Sequence, residues 1–353
     1  MNRYTLLTAA CAVLILTGQG CFSGNQEATD AFGGVWQTDD SGETWIATNA
    51  LPQSVSIGSI SGVNVLDFEM DPSDTTAYYI STQANGMFYS YDAAASWQRP
   101  EDLRVKAGAV YDIEVDPRNV CTLYAVTNHE LLKSTDCSRT FETVYTETRT
   151  NELLTTITID WFAPETLWLG TSAGDAFKSL DAGQTWARQA RFGSQVNFIE
   201  VSNADSRIIM VGTQGKSFFR SEDSGDNWVI FEDTLEQFDG IEEASQLAQT
   251  ADGNSVMVLV ESGILISGDK GETWDRLDLV TARGQVKVWS MAFHPHDDHL
   301  ISYATENTFY QSTSRGDAWL TQDMPSSRVA NVMFMHPDVP NRVIVGFLAV
   351  EED

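Results

Sequence analysis

The chain has 353 residues, of which 50 are acidic and 21 are Lys or Arg, for a formal net charge of −29. Such an excess of acid repels phosphate, so nucleic acid is not expected as a partner, and anionic lipid surfaces are disfavoured. Hydrophobic residues make up 42% of the chain, ample for a buried interior. No second composition regime or long linker interrupts it, which predicts a single folded domain.

The first twenty residues differ from the rest. Met1-Asn-Arg-Tyr is a short basic start, and Thr5–Leu16 is apolar but shorter than the ~20 residues that span a bilayer. Thr17-Gly-Gln-Gly20 is a small-residue region ending at Cys21. The pattern reads as a secretory signal peptide over residues 1–20, followed by a polar tether over 21–31 and a single folded domain over 32–350. Cys21 resembles the acylated cysteine of bacterial lipoproteins, although Gly18 and Gln19 stand where such a box usually carries Leu and a small residue. Lipid anchoring in a bacterial cell envelope is expected, with ordinary signal-peptidase cleavage and secretion as the alternative. Loss of Met1–Gly20 removes Arg3 and no acid, leaving −30.

From residue 38 onward an eight-residue pattern, S/T-x-D-x-G-x-T-W, recurs seven times. It begins with Thr38-Asp-Asp-Ser-Gly-Glu-Thr-Trp45 and Ser90-Tyr-Asp-Ala-Ala-Ala-Ser-Trp97, then Ser134-Thr-Asp-Cys-Ser-Arg-Thr-Phe141 and Ser179-Leu-Asp-Ala-Gly-Gln-Thr-Trp186. Ser221-Glu-Asp-Ser-Gly-Asp-Asn-Trp228, Ser267-Gly-Asp-Lys-Gly-Glu-Thr-Trp274 and Ser312-Thr-Ser-Arg-Gly-Asp-Ala-Trp319 complete the set. The closing aromatics are 52, 44, 45, 42, 46 and 45 residues apart, a period that matches one four-stranded propeller blade. In each turn the carboxylate of Asp40, Asp92, Asp136, Asp181, Asp223 or Asp269 can accept backbone N–H bonds. The Gly supplies a positive φ, and Trp45, Trp97, Phe141, Trp186, Trp228, Trp274 and Trp319 offer apolar surface for burial between blades. Recurrence at every turn makes these residues scaffold rather than catalytic groups. Ser314 replaces the Asp in the last copy, and Ala94 and Ser138 replace the Gly in the second and third.

Each copy lies between two short strands, C and D, and between copies lies a second hairpin, A and B. Val63–Met70, Asp71-Pro72, Ala77–Ser81 is one such hairpin, and Val110–Val115, Asp116-Pro117, Thr122–Val126 is another. Related segments occupy 155–171, 196–213, 245–261, 288–304 and 329–347. The chain therefore starts on a C–D unit and ends on an A–B unit. Pairing 329–347 with 33–48 builds one blade from both ends and removes two exposed sheet edges. The expected fold is an all-β, seven-bladed propeller of four-stranded antiparallel blades.

These turns resemble the Asp-box, or BNR, repeat shared by sialidases, xyloglucanase-type glycoside hydrolases, sortilin-like receptors and the photosystem II assembly factor family. The resemblance covers almost the whole mature chain but belongs to the scaffold. It implies a binding surface on the face opposite the boxes, formed by the D–A and B–C loops. In this chain those loops carry Arg104, Lys106, Arg149, Arg188, Arg191, Arg283 and Lys287, with Tyr145 and Phe192 nearby. Arg104, Arg149, Arg191 and Arg283 are the candidate ligand-binding residues, suited to an acidic peptide or anionic glycan. Glu232, Asp233, Glu236, Asp239, Glu242 and Glu243 make one connection acidic.

Asp67 and Glu69, and at the same offsets Asp112 and Glu114, lie on one side of inner strands. They are expected to line the central channel, with a cation site or an acid/base pair as the sharper possibilities. Equivalent faces of adjacent blades should point in one rotational sense rather than at each other. His294-Pro-His296-Asp-Asp-His299 is dense in ligand types, but a tight turn rarely lets them converge, and His336 occupies the matching place in the last hairpin. No metal and no cofactor are expected. Cys11 leaves with the leader and Cys21 is the lipid site, so Cys121 and Cys137 remain; they emerge at the same end of one blade and are predicted to form a disulfide.

The functional expectation is a non-catalytic, exported binding or assembly propeller, monomeric, recognising a protein or glycan and touching a membrane only through its lipid. The alternative is a glycoside hydrolase. Against a sialidase stand the missing Arg-[Ile/Leu]-Pro motif and that family's six blades. Against a xyloglucanase stands that family's use of two propeller domains around a cleft.

Overall fold

The computed structural model describes residues 32–231, 238–282, 284–339 and 341–350. The expected signal peptide, Cys21, the expected tether, Arg283 and Glu232, Asp233 and Glu236 lie outside the described residues.

Seven antiparallel sheets follow one another around a ring. Blade 1 takes its A and B strands, Val329–Met335 and Val343–Leu348, from the C-terminal end and its C and D strands, Gly34–Thr38 and Ile46–Ala47, from the N-terminal end. Gly34–Thr38 pairs along its full length with Val343–Phe347, so the ring is closed by main-chain hydrogen bonds and both sheet edges are covered, as expected. Blade 2 follows with Val65–Met70, Tyr78–Thr82 and Met87–Ser90, and blade 3 with Val110–Val115, Leu123–Thr127, Glu130–Ser134 and Glu142–Thr146. Blade 4 comprises Leu154–Ile159, Leu167–Thr171, Asp175–Ser179 and Ala187–Arg191, and blade 5 comprises Val196–Val201, Ile209–Thr213, Phe218–Ser221 and Val229–Ile230. Blade 6 is Ala244–Gln249, Val256–Val260, Gly263–Ser267 and Asp275–Arg276; blade 7 is Ser290–His294, Asp297–Ala304, Thr308–Ser312 and Leu320–Asp323.

Blade 2 departs from four full strands. Its outer edge is reduced to the single bridge Tyr89–Gln98. The Trp97 N–H is taken instead by the Ala50 carbonyl at 2.8 Å, and Pro100, which has no N–H, cannot extend the ladder. Ala50 belongs to an extra hairpin, Ala50–Pro52 with Ile57–Ser59, inserted between blades 1 and 2.

The core is divided among the seams. Seven hydrophobic clusters each join two neighbouring blades, for example Phe198, Met210 and Phe218 with Val256, Val258 and Trp274 between blades 5 and 6. This is the consequence of strands apolar on both faces: Tyr78–Thr82 and Val256–Val260 are buried at every position, so each blade needs a neighbour on both sides. The repeat aromatics close these seams unevenly. Trp97 and Trp274 are buried, as is Phe141, but Trp45, Trp186, Trp228 and Trp319 are half-buried against their clusters. Standing at the rim, they are capped by a neighbour on one side and meet solvent on the other.

Candidate functional site

The repeat turns consume their own polar groups. In the first, Asp40 accepts the Thr44 N–H at 2.8 Å and the Thr44 hydroxyl at 2.6 Å, and Thr38 Oγ1 accepts the Gly42 N–H at 2.9 Å. The same bonds recur at Asp92, Asp136, Asp181, Asp223 and Asp269. In the seventh turn the Ser314 hydroxyl takes the carboxylate's place, accepting the Ala318 N–H at 3.0 Å. These bonds hold Asp40, Asp181 and Asp223 below the usual carboxylate range, with the side-chain bond from residue i+4 the largest cause. Asp136 is driven to about 2 in the same way. A carboxylate so engaged is neither a base nor a free ligand. Gly225, at φ +90°, shows why Gly is favoured there, since a Cβ would come near Trp168 of the preceding blade. Ala94 and Ser138 adopt the same positive φ without that freedom.

Cys121 and Cys137 are joined by a disulfide with a Cα separation of 3.9 Å. It links the A–B turn of blade 3 to its repeat turn, where the Cys137 N–H also donates to the Cys121 carbonyl at 3.1 Å.

The central channel is a cavity of about 1130 Å³, and its carboxylates do not stand apart as their shared rotational sense suggested. Asp67 of blade 2 lies close enough to Asp112 of blade 3 to feel its charge. Asp112 in turn accepts the Ile157 N–H of blade 4 at 2.7 Å, and Glu114 accepts the Ile159 N–H at 3.3 Å. Near the ring axis the inner strands are close enough that a side chain leaning in the common direction reaches the next blade's backbone. Glu200 of blade 5 joins the group. It holds in its strand the place of Glu69 and Glu114, two residues before the A–B turn, a signal present in the sequence that pairwise reading missed. Burial first, and neighbouring carboxylates second, push Glu69 and Glu114 well above the carboxylate range. Asp67 is pushed up by burial and then by the Asp112 charge. Asp112 is lifted to about 6, by burial, and Glu200 to about 8, by burial and then the Asp112 charge.

On the opposite side of the ring amides replace carboxylates. Gln246 donates to the carbonyls of Trp289 and Asn331, and Asn331 to those of Val65 and Leu66.

The loop-face arginines are not a uniform rim. Arg104 is clamped by Asp102 at 2.6 Å and donates to the Phe141 carbonyl and Thr143. Arg149 and Arg191, by contrast, converge on blade 4, together with Arg188. Asp175, at the start of that blade's C strand, is fully buried, and it lies 2.8 Å from Arg149, 3.3 Å from Arg191 and 3.6 Å from Arg188. Arg149 also pairs with Glu147 at 2.6 Å, and these bonds raise its pKa. Among the described residues three cations therefore face two anions, leaving one positive charge in excess. The side chains of Arg149, Arg188 and Arg191 remain 37%, 54% and 59% exposed, so the guanidinium groups present an outward surface. Tyr145 and Phe192 do not share it. Phe192 is buried and Tyr145 packs on Phe177 and Trp186.

The histidine run behaves as a turn. His294 Nδ1 accepts the His296 N–H, and in the last hairpin His336 Nδ1 accepts the Asp338 and Val339 N–H groups. Asp297, Asp298 and His299 bring ligand atoms within 4.8 Å of one another, but Asp298 is engaged by Arg315 and Ser255.

No protein-family model matches the sequence, and no curated protein matches it. Solved structures do. The xyloglucanase of glycoside hydrolase family 74 from Xanthomonas campestris superposes with a TM-score of 0.67 at 18% identity, over 84% of this chain and 52% of that one. The chain thus spans about half the length of that enzyme, and likewise of the family 74 enzyme from Niastella koreensis, with a TM-score of 0.67, 15% identity and coverage of 90% and 53%. YCF48 bound to D1 peptide gives a TM-score of 0.62 at 14% identity, over 82% of this chain and 94% of that one. At these identities the likeness is one of fold: the chain is a seven-bladed β-propeller whose structural neighbours include both hydrolases and a peptide-bound propeller.

Proposed function

We propose that the chain is an exported, non-catalytic binding propeller, lipid-tethered through Cys21, that recognises a carboxylate-bearing partner on its loop face at blade 4. The observation that carries this reading is the gathering of Arg149, Arg188 and Arg191 on buried Asp175. The internal carboxylate fixes three guanidinium groups in one place, and the outward donors suit a planar carboxylate, as in an acidic peptide or uronic-acid glycan. A peptide-bound propeller of similar size among the neighbours supports the reading through fold analogy.

The test is binding of a fluorescent Asp/Glu-rich peptide to the wild type and to Arg188→Glu/Arg191→Glu. These two are the more exposed members, so the fold should be spared. Affinity should fall at least tenfold and the wild-type affinity should weaken with salt. Undiminished binding by the double variant would remove blade 4 as the site.

A second reading has one observation in its favour. Asp112 and Glu200 line the same channel, and burial lifts them unequally, to about 6 and about 8, which lets an ionised and a protonated carboxyl coexist there near neutral pH. The family 74 neighbours make glycoside hydrolysis the activity to assay, with β-glucan and sialyl substrates. Turnover abolished by Glu200→Gln would favour it.

A further inference from the structure

The connection between blades 1 and 2 carries an unusual surface. From Ile46 to Leu66 the chain has 21 consecutive residues without a charged side chain or histidine, in a protein of which 20% is charged. This stretch contains the inserted hairpin Ala50–Pro52/Ile57–Ser59. Its root is well fixed: Leu51 packs on the cluster of the blade 1–2 seam and Ile60 is fully buried. The Ile60 N–H donates to the Asn49 carbonyl at 2.9 Å, and Arg328 donates to the carbonyls of Gly62 and Val63. Its tip is the reverse. Val55 is 95% exposed and Ile57 78% exposed, on a hairpin tied by Gln53 and Ser56. Two other exposed apolar side chains, Leu103 between Asp102 and Arg104 and Leu180 beside Asp181, stand next to charges.

The hairpin lies where the chain enters the ring. The Gly33 N–H donates to the Ser61 carbonyl at 2.6 Å, just past the returning strand, and the preceding Phe32 is 51% exposed. Ten residues lie between Cys21 and Phe32, a tether that reaches ~40 Å at most when extended. Whatever surface holds residue 21 is therefore within that distance of Phe32, next to the end of the hairpin connection at Ser61. We infer that the charge-free hairpin, through Val55 and Ile57, is a contact for a neutral lipid surface, inserting beside the chain's N-terminal entry. Apolar tips of this kind bind where headgroups give way to acyl chains. Absence of charge matters because a chain with a net charge of −29 is repelled overall by anionic headgroups. The inference goes beyond the arginine site, and it uses the tether reading only for proximity.

A chain starting at Phe22 tests it. That chain lacks the leader and Cys21 yet keeps Gly34–Thr38 and Val343–Leu348, which close the ring. It is floated with phosphatidylcholine vesicles and with vesicles containing phosphatidylglycerol. We expect co-flotation with the first, less with the second, and at least a tenfold loss of partitioning in Val55→Ser/Ile57→Ser with unchanged melting. No flotation of the Phe22 chain, or equal flotation of the double variant, overturns the inference. So does a change in sedimentation velocity caused by the double variant without a change in flotation, which would make the hairpin a contact between copies. The mass of the N-terminal peptide of the full exported chain reports acylation of Cys21 separately, so failure of the tether reading is distinguishable.

Discussion

Replacing Glu200 by Gln should stabilise the protein in mild alkali and leave it unchanged in mild acid. An ordinary glutamate titrates at 4.5, whereas burial and the Asp112 charge lift Glu200 to about 8. Between those values the folded ring holds a proton that the unfolded chain has released. A raised folded pKa gives stability that is fully present below the unfolded value and is lost as pH rises through the folded one. Asp112, lifted to about 6, loses its share earlier on the same climb. At ~1.4 kcal/mol per pH unit the bare penalty on ionised Glu200 approaches ~5 kcal/mol. Because the side chain lines an open channel, water screens it, and ~1–2 kcal/mol is the expected residue. In a protein of this size that is a rise of roughly 2–6 °C in Tm for the variant at pH 8.5, falling to ~1 °C or less at pH 5. Thermal melts followed by circular dichroism across pH 5–9 measure it. A wild type that gains stability from pH 5 to pH 8, or a variant with the wild-type pH slope, would refute the reasoning.

Deleting residues 329–353 removes half of blade 1 and bares Gly34–Thr38, so the whole ring should melt lower or fail to fold; an unchanged melting temperature would contradict the closure. Trp97→Ala, at a fully buried position, should cost ~3–5 kcal/mol, and Trp228→Ala, half-buried against Phe192 and Trp168, roughly half as much; chemical denaturation compares the two, and equal costs would break the distinction between seam and rim. Cys121→Ser/Cys137→Ser should lower stability by about 3 kcal/mol for a loop of this length, with non-reducing peptide mapping of the native protein showing the linked pair.

Much of the fold was legible because it rests on local chemistry repeated. A turn that bonds itself from Thr38 or Ser134 through Asp and the i+4 residue works the same way wherever it occurs, so its spacing counts blades directly. Counting hairpins located the closing pair for the same reason. The half-burial of Trp186 and Trp228 was not readable, because identical motif positions differ in what the next blade sets over them. Nor was the lost outer strand of blade 2, which depends on Ala50 from the preceding connection taking the Trp97 N–H.

The sites were harder for a related reason. Period two placed Asp67, Glu69, Asp112 and Glu114 on one face, but whether they meet is set by the radius of the ring at the inner strands. The sequence pattern carries direction and no distance. A small radius turns a common lean into interaction, bringing Asp67 close enough to feel the Asp112 charge and Asp112 to the Ile157 N–H. The arginines show the converse. Loop membership grouped Arg104 with Arg149 and Arg191, yet only the latter two share Asp175, because Arg191 stands opposite it in the blade 4 ladder while Arg104 finds Asp102 two residues away. What assembles a site on a propeller is therefore cross-strand and cross-blade register, and the residue that organises this one, Asp175, is buried at a strand start where nothing in the loop composition points to it.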